Sequence, residues 1–166
     1  MKKILLLAAL GGLAIWPPLA QAHEAHEHGA ANINIAVEGT EVDIELESPL
    51  ANMLPFEHWP STEEERRQVR DLSARLHQAE TLFKLTAAAE CRLNKVELDT
   101  DYDDRNEHGD LDVNFEFLCA KPEKLNSVDV LLFGVWPKLE EIEIQAVTPL
   151  GQRAARLTPD KHLFSW

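Results

Sequence analysis

Leu111, Val113, Phe115 and Phe117 alternate without a break with Asp112, Asn114 and Glu116, the period of a strand with one dry and one wet face. Such a strand needs strand neighbours beside it and an apolar cover on one face only. The alternation recurs in Ile33, Ile35 and Val37, and again in Val42, Ile44 and Leu46, where Asp43, Glu45 and Glu47 take the wet positions. Glu38-Gly39-Thr40-Glu41 joins these two runs as a hairpin turn, with Gly39 able to take a positive φ that a side chain would resist.

Further strands are expected after Cys91 through Leu93, Val96 and Leu98, over Val128 to Leu132, and through Ile142, Ile144 and Ala146. Phe133 to Lys138 reads as a turn around Gly134 and Pro137, and Pro149-Leu150-Gly151-Gln152 turns the chain toward Ala154 to Leu157. Ser48 to Pro60 reads as irregular chain folded back over the core, because Pro55 and Pro60 oppose a regular element. Ser61 with Glu64 forms a capping box, Glu63 to Glu65 suit a helix N-terminus, and Val69, Leu72, Leu76, Ala79 and Phe83 place one apolar stripe on a helix reaching about Ala89. The expected class is α+β, an antiparallel, β-rich single domain with one long helix packed on a sheet.

Compartment follows from the first residues. Met1-Lys2-Lys3, the apolar run Ile4 to Trp16 and Ala20-Gln21-Ala22 match a secretory signal peptide over residues 1–22, so the mature chain is expected to start at His23. No apolar run is long enough for a spanning helix, and stable membrane insertion after cleavage is not expected. Loss of Lys2 and Lys3 takes Lys+Arg from 16 to 14 against 29 Asp+Glu, so the net charge moves from −13 to −15. That charge disfavours nucleic acid and concentrates cations. In an exported chain the two cysteines, Cys91 and Cys119, pair more naturally as a disulfide than as a metal-thiolate or catalytic site. The bond staples the domain, and closing a loop of about 28 residues contributes roughly 3 to 4 kcal/mol.

The chemistry concentrates in His23-Glu24-Ala25-His26-Glu27-His28-Gly29, within a flexible histidine-rich leader over 23–31 that precedes the domain at 32–166. Zinc accepts neutral imidazole nitrogens, usually in fourfold coordination, so His23, His26 and His28 are the leading ligands. Glu24 or Glu27, water, His58 or His108 could complete the shell. Imidazole must be deprotonated to ligate, so binding weakens as pH falls through roughly 6.5. An N-terminal amine beside its own imidazole at His23 would suit Cu2+ as well as Zn2+. The acidic stretch 99–112 reads as an exposed strand connection, with Asp103, Asp104 and His108 as an auxiliary divalent-metal patch. A calcium hand loop fails there: counting from Asp101, Arg105 falls at the fifth position and Asn106 at the glycine position.

His77 and His162 read as surface residues, and Trp59, Trp136 and Trp166 as core or edge packing. The chain carries no nucleophile elbow, metallopeptidase helix or phosphate loop, and no carboxylate pair marks a glycosidase cleft, so no catalytic residue is assigned.

His26-Glu27-His28-Gly29, Glu45-Leu46-Glu47-Ser48-Pro49-Leu50-Ala51-Asn52, Phe56-Glu57-His58, Phe117-Leu118-Cys119 and Val147-Thr148-Pro149-Leu150-Gly151-Gln152 together resemble the periplasmic family that includes the zinc-regulated protein ZrgA. The resemblance spans nearly the whole mature chain. It implies a periplasmic zinc-binding protein that accompanies zinc uptake and hands the ion to an ABC-type importer. His26 and His28 match the family's leading H-x-H-G, and His58 its F-E-H. Members often carry a long histidine-rich insertion between the middle strands, where this chain has its acidic stretch and His108. The expected function is non-enzymatic zinc binding or delivery. The competing class is a structural or interaction module of the cell envelope, with copper binding or copper- or zinc-assisted chemistry at the mature terminus as a minor alternative.

Overall fold

The structure, a computed structural model, describes residues 28–103 and 108–166, with Asp103 described through its backbone alone. The alternating runs become strands. β1 (Ala30–Glu38) and β2 (Glu41–Pro49) form the expected hairpin, in register from Asn32 opposite Glu47 to Glu38 opposite Glu41. Gly39 turns it at φ +60. β4 (Cys91–Asp103) and β5 (His108–Cys119) form a longer hairpin that adds to β2 through β5. On the other side of β1 lie β7 (Glu141–Thr148) and β8 (Gly151–Leu157). The six-stranded order is β4-β5-β2-β1-β7-β8. Four of its five pairings are antiparallel, but β1 and β7 are parallel, with Ile33 opposite Ile144. A parallel partner cannot be joined by a tight turn, and the chain between β2 and β7 holds the helix, the β4–β5 hairpin and two of the three strands of a second sheet. That smaller sheet has the order β3-β6-β9, from β3 (Phe83–Leu85), β6 (Ser127–Val130) and β9 (Leu163–Ser165).

The helix α1 runs Glu63–Leu76, shorter than the apolar stripe suggests. His77 Nδ1 bonds the Ser73 carbonyl at 2.8 Å, and Gln78 leaves the helical region at ψ 45. The stripe persists past the end because Ala79, Leu82 and Phe83 are buried in the same core. Spacing therefore reported the buried side of the chain while the backbone changed from helix to 3-10 turn to strand. The capping box also sits one residue later than expected: Glu65 N–H donates to Thr62 Oγ1 at 3.1 Å, and Thr62 N–H to Glu65 Oε2 at 2.9 Å. Glu64 instead accepts from Arg67 at 2.6 Å. Residues 133–138, expected as a turn, open with the four-residue helix α2 (Leu132–Val135).

Backbone N–H groups of Thr62 and Ser61 bonded to the Glu65 carboxylate lower its pKa from 4.5 to about 2. A lowered folded pKa means this capping contribution is complete above about 4.5 and drains away as pH falls toward about 2. Glu65→Gln should therefore lower the melting temperature near neutral pH, with the gap to wild type narrowing through that acid window. A gap that stays constant with pH would show that the charge contributes nothing.

One apolar core holds these layers together. Ile33, Ile44, Leu46, Val113, Phe115, Ile142 and Ile144 from the large sheet meet Leu72 and Leu76 of α1 and Val128, Val130 and Phe164 of the small sheet. Phe83 and Phe115 join the two sheets edge to face, ring centroids 5.1 Å apart. Trp136 is buried there, whereas Trp59, expected as packing, is 68% exposed and lies across Tyr102 at 5.0 Å. The opposite face of the large sheet is wet. Cys91 and Cys119 face each other across the open end of the β4–β5 hairpin and are disulfide-bonded.

The acidic stretch is narrower as a loop than residues 99–112. Strand pairing continues through Asp99 opposite Asp112 and Asp101 opposite Asp110 to Asp103 opposite His108. Paired carboxylates repel across a ladder. Burial, and then the charges of Asp110, Glu45, Asp99 and Asp101, raise the Asp112 pKa above the ordinary value. The hairpin thus projects negative potential and ends beside His108.

Candidate metal centre

Three separated parts of the chain converge at the His108 end of that hairpin. His28 precedes β1, Glu57 lies in the irregular stretch after β2, and His108 opens β5. Glu57 Oε1 lies 3.3 Å from His28 Nε2 and its Oε2 lies 3.1 Å from His108 Nδ1. The two rings stand 6.4 Å apart at 62°. Ligand atoms from all three residues fall within 4.8 Å of one another. Glu57 is the sheltered member at 14% side-chain exposure, against 61% and 46% for His28 and His108.

Each candidate ligand is positioned by local chain chemistry. Gly29 takes φ +88, a conformation that suits glycine, and its carbonyl accepts from the N–H groups of Glu140 at 2.8 Å and Glu141 at 3.0 Å. The preceding His28 is thereby fixed against the start of β7. Gly29 N–H donates to Asn52 Oδ1 at 2.8 Å. Lys138 Nζ donates to the carbonyls of Ala51 at 2.7 Å and Leu54 at 3.0 Å, tying down the segment that leads to Glu57. On the hairpin, Gly109 lets that segment approach: a Cβ there would stand 2.5 Å from the Glu57 carbonyl oxygen and 2.7 Å from Leu50 Cδ1. Both lie below contact distance, so Gly109→Ala should push the Glu57 segment off the hairpin and separate Glu57 from His108. A competitive zinc titration should then show about tenfold weaker binding, the scale of a lost positioning contact. Unchanged affinity would mean that this close approach does not set the site.

Zinc at about 2.0 to 2.1 Å from each donor in a tetrahedral shell places donors roughly 3.3 Å apart. The two short contacts reach different Glu57 oxygens, and one ligand atom from each of the three residues lies within 4.8 Å of the others, so side-chain closure onto one Glu57 oxygen would complete three corners and leave the fourth for water or another ligand. Two imidazoles and a carboxylate form a donor set of the kind zinc takes. His28 also borders an open groove lined by Glu47, Asp110, Glu141, Glu143 and Arg156, whose guanidinium pairs with Glu141 and Glu143 and leaves the lining acidic on balance.

His28 and His108, two of the sequence-predicted ligands, are brought together. His58 is not in this cluster: it faces Glu65 at 3.4 Å and packs on Phe56. His23, His26 and Asp104 lie outside the described residues, and Asp103 is placed only by its backbone, opposite His108. Glu57 is the functional candidate that sequence reasoning missed. Its signal was Phe56-Glu57-His58, in which the histidine drew the assignment away from its neighbour. His77 is exposed, while His162 pairs with Asp129 at 2.5 Å. Glu41, Asp43 and Glu116 also converge, but an all-carboxylate set suits harder cations than zinc.

Residues 25–166 match the family model of the ZrgA family zinc uptake proteins, a span that includes His28, Glu57 and His108. The chain belongs to the ZrgA family. No curated protein matches it. ZrgA-family membership makes this a periplasmic, non-catalytic zinc-handling protein, with zinc as its ion. Among the described residues no helix is long and apolar enough to cross a membrane.

Proposed function

We propose that this ZrgA-family protein captures zinc with His28, Glu57 and His108 and passes it to an ABC-type zinc importer. The observation that carries this reading is the convergence of two imidazoles on the two oxygens of one sheltered carboxylate, with a ligand atom of each residue within 4.8 Å of the others. In the secreted chain, which we take to begin at His23, the leader donors His26 and His23 compete with water for the fourth position. Asp103 and Asp104, five and four positions before His108 in the sequence, add negative charge that draws in the cation. Exposed histidines and an exchangeable fourth position favour release as well as capture, which a delivery protein requires.

Competitive zinc titration of the secreted protein tests the reading. His28→Ala and His108→Ala should each lose most of the affinity, His23→Ala with His26→Ala should lose less, and His58→Ala should bind like wild type. Wild-type affinity in both His28→Ala and His108→Ala would refute the site.

A further inference from the structure

The short Leu50–Asn52 turn touches the supports of all three proposed ligands, and its polar member has nothing else to do. Asn52 is 3% exposed. Its Oδ1 accepts from Gly29 N–H at 2.8 Å, while its Nδ2 donates to the Ala30 carbonyl at 2.8 Å and to Ser48 Oγ at 3.1 Å. Two of its three bonds therefore grip the two residues that follow His28. At the other end of the turn, Leu50 packs at Gly109 beside His108, and the chain leaving the turn leads directly to Glu57.

We infer that Asn52 is the positioning residue of the zinc site, clamping the Gly29–Ala30 backbone so that His28 is held over Glu57 before any ion arrives. The inference rests on the zinc-site reading above. A buried amide with both donors and its acceptor satisfied fixes a backbone more tightly than an apolar residue can, and leaving any of those groups unpaired is costly. It also gives Ser48-Pro49-Leu50-Ala51-Asn52 and His28-Gly29 one shared purpose: the first motif supplies the clamp and the second supplies what is clamped. Ligands held ready by such outer contacts bind metal more tightly because less ordering remains to be done on binding.

Asn52→Asp retains an acceptor for Gly29 N–H and removes both donors, turning a carboxylate oxygen toward the Ala30 carbonyl. Ser48→Ala is the milder companion, removing only the hydroxyl that steadies the Asn52 amide. Zinc affinity, read by competition with a chromogenic chelator, should fall about tenfold in Asn52→Asp and by a smaller factor in Ser48→Ala. The discriminating measurement is a double-mutant cycle with His28→Ala. If Asn52 acts by placing His28, the tenfold effect disappears once His28 is gone. An equal loss in both backgrounds would reduce Asn52 to a general structural residue and overturn the inference. If Asn52→Asp does not fold, Ser48→Ala carries the same cycle with the same two outcomes. Wild-type zinc affinity in both His28→Ala and His108→Ala would instead defeat the zinc-site reading, and this inference with it.

Discussion

Glu57→Ala is expected to weaken zinc binding on the order of 100-fold, at least as much as loss of either histidine, since outer-shell changes alone cost about 10- to 100-fold. Glu57 meets both partners, one oxygen to His28 and the other to His108. Removing it takes away a donor and the negative charge that offsets the ion in a sheltered position. It also releases two imidazoles whose mutual placement the carboxylate bridges. Glu57→Gln should lie between alanine and wild type, because an amide keeps one oxygen donor but no charge. Competitive titration near neutral pH, with thermal unfolding of the metal-free proteins alongside, separates lost ligation from lost fold. Equal zinc affinity in wild type and Glu57→Ala would remove Glu57 from the site.

The second large effect concerns stability. Cys91 and Cys119 close a loop of 28 residues at the open end of the β4–β5 hairpin. Chain entropy alone predicts that replacing both by serine lowers stability by roughly 3.5 kcal/mol, a large part of the margin of a domain this size. The hairpin's other end presents His108, more than ten residue pairs away along the ladder from the bond. Zinc affinity of protein that remains folded should consequently change far less than stability does. Urea unfolding of the oxidised protein and of the Cys91→Ser/Cys119→Ser form would show the shift in midpoint. Coincident midpoints would contradict a stabilising bond.

The large sheet was legible in the sequence wherever one face is wet, because alternation such as Leu111 to Phe117 has no other economical reading. The turn at Gly39 and the start of α1 were legible for similarly local reasons, although the cap moved from Ser61 to Thr62. The parallel pairing of β1 with β7 was not, because it joins residues more than a hundred positions apart and no local pattern encodes which strand comes alongside. The end of α1 was hidden because Ala79, Leu82 and Phe83 continue to face the core after the helix has stopped. Strands β3 and β9 are three residues each, too short for a period to show.

The candidate metal centre divides along the same line. Histidines are few, so His28 and His108 stand out in the sequence as donors, His108 both as one of several residues that could complete the leader's shell and as part of an acidic patch. Glu57 was one carboxylate among 29 Asp and Glu residues. What selects it is tertiary: the missing side chain at Gly109, the Lys138 bonds to Ala51 and Leu54, and the Asn52 grip on Gly29. His58 had the more suggestive side chain and the wrong direction.

Zinc K-edge X-ray absorption on the secreted protein loaded with one equivalent of zinc tests the central claim most directly. Two imidazoles and a carboxylate at about 2.0 to 2.1 Å are predicted in the first shell, with one imidazole's scattering lost in His28→Ala and in His108→Ala. A shell that contains no imidazole, or one unchanged in both variants, would contradict the account.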